Sequence, residues 1–282
     1  MIRMSDQAGG IRLLRAVRSA RPFVSGSFAR GTLTIALTSG KGGVGKTQLS
    51  ANLAVAMAKA GLKVLVLDAD LGLASLDLAL GVSPREDLLS VVRGDRTLED
   101  ILMPSDSGVT LVPACPGRYE VANMGKAERD SLLAMLQNLA SSYDALIIDT
   151  GAGIGTNAVE FAAVADEVLL VATTDPTSLR DAYAMAKVLH KRNGVSRIQF
   201  IANQVSGEME GVAVYERLQG IVGRFLGLEL DYLGCVPRDE NVSRAVASGE
   251  PYVIGAPRSL AARATTQIVK RLTMDSNRGG LS

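Results

Sequence analysis

Ten residues, Thr38-Ser39-Gly40-Lys41-Gly42-Gly43-Val44-Gly45-Lys46-Thr47, constrain this chain more than any other stretch. They satisfy the spacing G-x-x-x-x-G-K-[ST], with Gly40, Gly45, Lys46 and Thr47 in the four set places. The flanks agree with that motif. Leu33 to Leu37 is a short apolar run that predicts a buried strand. Gln48 to Ala60 predicts a helix, with Leu49, Leu53, Ala56, Met57 and Ala60 on one face and Gly61 as its stop. The glycines let the backbone wrap closely around an anion, so that successive N–H groups from Gly40 to Gln48, including that of Val44, point at phosphate oxygens. The helix N-terminus adds partial positive charge. In such a loop Lys46 reaches the β- and γ-phosphates of a nucleotide, and Thr47 offers its hydroxyl to Mg²⁺.

A second lysine, Lys41, directly follows the first glycine, where an ordinary phosphate loop has no need of a cation. The spacing K-G-G-x-G-K-[ST] resembles the deviant Walker A motif of the MinD/ParA family of dimeric ATPases. The resemblance implies an α/β, SIMIBI-type P-loop NTPase fold, with a mostly parallel sheet of about seven to eight strands and helices on both faces. It also implies ATP and Mg²⁺ as ligands, slow hydrolysis to ADP and phosphate, and a homodimer enclosing two nucleotides. In that family the first lysine reaches the nucleotide held by the partner subunit, which casts Lys41 beside Lys46 as catalytic. A cation supplied across an interface makes hydrolysis depend on dimerisation; a comparable arginine finger is worth about 10³–10⁵ in rate.

Composition narrows the alternatives. The chain has 282 residues, enough for one large α/β domain or two small ones. Lys plus Arg is 30 and Asp plus Glu is 29, so no overall field marks a nucleic-acid binder, and no specific nucleic acid is expected. Cys115 and Cys235 follow no metal spacing, and a reduced cytoplasmic compartment is expected. The single histidine, His190, argues against a histidine-based triad and sits near the end of an expected helix, a dipole-favoured surface position. No run of 18 apolar residues occurs, so no membrane-spanning helix is expected.

Residues 1–31 differ from the rest, with six arginines against Asp6 alone. Ile11, Leu14 and Val17 fall at helical spacing with Arg12 and Arg15 on the other side, which predicts a short basic amphipathic helix before a linker at Pro22, Gly26 and Gly31. Asp6-Gln7-Ala8-Gly9-Gly10-Ile11-Arg12 resembles the D-Q-A-x-x-L-R element at the N-terminus of the FlhG group of MinD-like ATPases, with Ile11 where Leu is usual. FlhG controls flagellar number and placement, and the element stimulates FlhF, an SRP-type GTPase. The resemblance therefore assigns Asp6, Gln7, Ala8, Ile11 and Arg12 to partner binding. It extends the partners to flagellar switch or basal-body proteins and a flagellar transcription regulator, with at most weak, peripheral membrane association at the inner face. The resulting division is an arm at 1–31, an ATPase domain at 32–273 and a polar tail at 274–282.

Further along, Lys63 to Leu67 predicts a strand ending in Asp68-Ala69-Asp70. Polar residues at a strand's carboxyl end line the ligand crevice of an α/β sheet. By resemblance, Asp70 orients the attacking water, and Asp68 supports it or binds Mg²⁺. Ser83-Pro84-Arg85-Glu86 predicts a helix start with a capping box, Gly94 its end, and Asp95 to Leu102 another short helix. Val109 to Val112 predicts a strand, Pro113 to Gly125 a loop and Lys126 to Leu139 a helix. Ala145 to Ile148 delivers Asp149 and then Thr150-Gly151-Ala152-Gly153, which resembles Walker B and switch II, with Asp149 beside Mg²⁺ and glycines that let the loop swing. Glu167 to Ala172 is an expected strand, followed by a helix opened by Asp175-Pro176 and stopped by Asn193-Gly194, with Arg180, Lys187, Lys191 and Arg192 exposed as partner ground or a solvated face.

The strand at Arg197 to Ala202 ends at Asn203-Gln204-Val205-Ser206, without the Asp of a guanine-reading N-K-x-D. That favours adenine, with the Asn203 amide available to the ring edge. Pro237, Arg238 and Asp239, after a strand at Asp231 to Cys235, resemble the family loop that brackets adenine. Ser259 to Leu272 predicts the last helix, with Leu260, Ala264, Ile268 and Leu272 on a narrow stripe that packs on the core rather than entering a membrane. Competing readings are a MinD/ParA-type division or partition ATPase and an ATP-dependent biosynthetic ligase. A metal-cluster carrier is disfavoured by the lack of C-x-x-C.

Overall fold

A computed structural model describes residues 31–72, 74–115 and 124–279, without the side chains of 275–279. The arm element Asp6–Arg12 lies outside the described residues. Eight strands form one sheet in the order β3-β4-β2-β5-β1-β6-β7-β8. They are β1 (Leu33–Ser39), β2 (Val64–Ala69), β3 (Met103–Pro104), β4 (Val109–Val112), β5 (Ala145–Ala152), β6 (Glu167–Ala172), β7 (Ile198–Val205) and β8 (Leu230–Pro237). All neighbours pair in parallel except β3 with β4.

The continuous apolar runs follow from burial on both faces, the rule for parallel sheets. Successive residues alternate between two cores: Val64 and Val66 face one, Leu65 and Leu67 the other. Helices α1 (Lys46–Lys59) and α10 (Leu260–Gly279) pack on the first face. The second is covered by α4 (Lys126–Ala140), α5 (Thr156–Ala163), α6 (Pro176–Asn193) and α7 (Glu208–Leu226). The short elements are α2 (Leu76–Leu80), α3 (Leu88–Val92), a 3₁₀ turn at Glu99–Ile101, α8 (Glu240–Ser248) and α9 (Tyr252–Gly255).

Several local expectations change. No helix starts at Ser83-Pro84. Asp87 caps α3 instead, its carboxylate accepting from Leu89 N at 2.9 Å, so a cap four residues on outcompetes the Ser83/Glu86 pattern. The stretch Asp95–Leu102 shrinks to the single 3₁₀ turn. The last helix runs on to Gly279, and its buried stripe is Ala261, Thr265, Ile268 and Leu272, while Leu260 is exposed. The opening of α6 follows expectation: Asp175 caps it through Thr177 N, Pro176 stands in the first turn, and Gly194 ends it with φ 72°. His190 lies in its last turn, its Nδ1 3.0 Å from Val195 O.

Candidate nucleotide site

The carboxyl ends of β1, β2, β5, β7 and β8 bring the expected residues to one crevice, where an open α/β sheet binds ligands. The loop after β1 runs into α1 through Gly45, whose φ of 83° is left-handed. A Cβ there would lie 2.5 Å from Asn203 Nδ2, so conformation and space both demand glycine. Gly40 is tighter still: its Cβ would fall 1.9 Å from the Asp181 carbonyl oxygen of α6.

Lys46 is buried and donates to Asp149 Oδ1 at 2.7 Å, and Ser50 Oγ, one turn along α1, donates to the same oxygen at 2.8 Å. Asp149 Oδ2 is buried with no hydrogen-bond partner. This unpartnered carboxylate oxygen and the hydroxyl of Thr47, which follows Lys46 in α1, are hard-oxygen donors that fit Mg²⁺, which is commonly held by one or two carboxylates plus phosphates and water. Asp68 sits opposite Asp149 in the β2–β5 register. Its oxygens accept from Asp70 N at 3.1 Å, Ser75 N at 3.1 Å and Leu76 N at 3.0 Å. Burial, and then the Asp149 charge, push the Asp68 carboxyl up, against the pull of those N–H groups and Lys46. Asp68 thus holds the loop into α2. Asp70 borders Gly151: its Oδ1 lies 3.6 Å from where a Gly151 Cβ would be. Gly153 N donates to Ser39 O at 2.9 Å, tying the end of β5 to the glycine-rich loop.

On the other flank a cavity of ≈ 350 Å³ has Gly45, Gln48, Asn203, Pro237, Arg238 and Asp239 in its lining, with Val242, Val246 and Tyr252 among the apolar part of its wall. Asn203 is turned toward the phosphate loop: Nδ2 donates to Val44 O at 2.7 Å and Oδ1 accepts from Gln204 N at 2.9 Å. Arg238 N donates to Val205 O at 2.7 Å. Asp239 caps two helices, accepting from Asn241 N at 2.9 Å in α8 and from Ala261 N at 3.1 Å in α10. Burial alone would raise its pKa, but those N–H groups win and hold it low.

Lys41 stands apart from Lys46. Its ammonium reaches Asp175 and Thr177 at the start of α6.

Residues 35–252 match the profile of the CobQ/CobB/MinD/ParA nucleotide binding domain. The chain belongs to this MinD/ParA family. It is an ATPase of that family, with the family's sheet and phosphate loop. It is 39% identical to the antiactivator FleN of Pseudomonas aeruginosa, over 84% of this chain and 85% of that one. It is 35% identical to the flagellum site-determining protein YlxH of Helicobacter pylori, over 99% and 94%. Among solved structures, the septum site-determining protein MinD of Pyrococcus horikoshii, complexed with Mg-ADP, superposes with a TM-score of 0.73 at 30% identity, covering 86% of this chain and 96% of that one.

Three site residues of this MinD/ParA chain escaped the sequence reading. Ser50 was within reach, since it lies four positions after Lys46 on one helix face. Gln204, the one non-glycine residue with positive φ (58°) among the described residues, donates from Nε2 to Gly43 O at 3.3 Å. Tyr252 lines the cavity, with its hydroxyl 2.8 Å from Thr265 Oγ1. Neither Gln204 nor Tyr252 carries a local signal, because each reaches the site only through the fold. Among the described residues no helix is long and apolar enough to cross a membrane.

Proposed function

We propose that this protein is an ATP-dependent dimerising switch of the FlhG type, which regulates flagellar number and placement and stimulates an SRP-type GTPase through its N-terminal arm. The observation that carries the switch is the divergence of the two lysines. Lys46 is buried against Asp149, while Lys41 stands at the rim on Asp175 and Thr177 with 39% of its side chain exposed, where a second subunit can reach it. The flagellar half rests on the likeness to FleN and YlxH and on the Asp6–Arg12 element. The name antiactivator, borne by FleN, agrees with a transcription regulator among the partners; switch or basal-body proteins complete the proposed set.

In this reading the N–H groups from Gly40 to Gln48 bind the phosphates, and Lys46 leaves Asp149 for the β- and γ-phosphates. Thr47 and Asp149 hold Mg²⁺, which neutralises charge on the phosphate oxygens. Asp70 orients water at the mouth of the crevice, with Asp68 fixing its loop. Lys41 of one subunit meets charge developing on the other subunit's nucleotide. Pro237, Arg238 and Asp239 bracket the base. Hydrolysis then opens the dimer.

Light scattering with a hydrolysis-blocked Asp70→Ala variant and excess ATP should give a dimer; a lone subunit defeats the reading. Deleting residues 1–20 should abolish stimulation of the GTPase and spare ATP binding, and undiminished stimulation removes the arm's role.

A further inference from the structure

The start of the phosphate loop packs against the first two turns of α6. Gly40 lies against the Asp181 backbone with no room for a side chain. Ser39 Oγ donates to Lys41 O at 3.0 Å, which fixes the backbone of the rim lysine. From there the Lys41 ammonium donates to Asp175 Oδ2 at 2.5 Å and to Thr177 Oγ1 at 2.6 Å. Asp175 is a full counter-charge at any working pH, because the Lys41 ammonium and then the Thr177 N–H and hydroxyl hold its carboxyl at about 2. Yet the pair is half open to water, with 39% and 42% of the two side chains exposed. Such a pair orients a side chain and still opens at small cost.

We infer that Asp175 and Thr177 form a resting seat that withholds Lys41 from the opposite subunit until a nucleotide-bound partner competes it away. The inference rests on the proposed cross-subunit role of Lys41 and adds what sets its threshold. A lysine held by its own α6 meets a second subunit's phosphate only by leaving Asp175. The more strongly charged triphosphate wins that exchange, whereas a weaker anion leaves the lysine seated. Asp175 is therefore a positioning residue, acting through Lys41 and touching no substrate.

The test compares full-length wild type, Asp175→Asn, Lys41→Ala and the double variant. ATP turnover per subunit is followed against protein concentration at fixed excess ATP and Mg²⁺. Asparagine keeps the helix cap that Asp175 Oδ1 now gives Thr177 N at 2.8 Å, so α6 still starts normally. The expected result is a midpoint shifted to a roughly two- to fivefold lower protein concentration in Asp175→Asn, the scale of a half-exposed pair. In the Lys41→Ala background Asp175→Asn should change nothing. A midpoint that stays put or rises, with Lys41→Ala still abolishing the concentration-dependent rise, overturns the seat and leaves the cross-subunit role standing. A Lys41→Ala curve identical to wild type overturns that role, and the seat with it.

Discussion

Lys46 Nζ lies 2.7 Å from Asp149 Oδ1, and the two side chains are only 6% and 0% exposed. Breaking a buried pair by removing one partner strands the other charge and costs about 3–5 kcal/mol, whereas replacing both by apolar groups is often neutral. Lys46→Met should therefore lower unfolding stability by about 3 kcal/mol. The Lys46→Met/Asp149→Leu double variant should regain much of that loss. Neither should show a rise in melting temperature with Mg-ATP. Calorimetry with and without nucleotide measures both effects, and a double variant no more stable than the single would contradict the pairing.

The loop glycines should not be equivalent. A Cβ on Gly40 meets the Asp181 backbone, which cannot give way, while one on Gly42 meets nothing nearer than the Ala152 Cβ at 4.0 Å. In urea without nucleotide, Gly40→Ala should lose about 3 kcal/mol, the range of overpacking. Gly42→Ala should stay within about 0.5 kcal/mol of wild type.

Asn203 is engaged with the loop rather than extended into the cavity, since Val44 O and Gln204 N use both ends of its amide. Asn203→Ala would leave the Val44 carbonyl short of its donor, a penalty of about 1–3 kcal/mol. We expect nucleotide affinity to fall about tenfold, the lower part of that range. ATP and GTP should lose equally in competition binding; a selective loss for ATP would show the amide reading the base.

Cys235 should be inert in the native protein. Burial, then its hydrogen bond to Glu208 and the charge of that carboxylate, push the thiol up to about 11. At pH 8 the thiolate fraction is then roughly one in a thousand. Cys115 is also buried. Ellman's reagent at pH 8 should label neither cysteine until guanidinium is added, and then both. Rapid native labelling would contradict the packing around Glu208.

Much of the architecture was legible because its signals are local. A strand buried on both faces reads as a solid apolar run, so β1, β2 and β6 were visible within two residues at their ends, and β5 from its first residue though it runs four residues past the apolar run. Asp175-Pro176 and Gly194 bounded α6 because caps act over one turn. Helices α5, α7 and α8 carry weaker signals. In α7, Gly211, Gly220 and Gly223 lower helix propensity, and Gly211 is required because a Cβ there would come within 2.7 Å of Cys235 Cβ. That requirement belongs to packing and cannot be read along the chain.

The amino-acid order by itself determined the glycine-rich loop, the two lysines on it and the carboxylates waiting at strand ends, since spacing and strand polarity are enough to place them. Only the tertiary structure decided which partner each group takes. Lys46 meets Asp149 across 103 positions and Lys41 meets Asp175 across 134. Those pairings depend on β5 and β6 flanking β1, a choice of strand order that no local segment encodes. It is settled by burying two apolar faces at once.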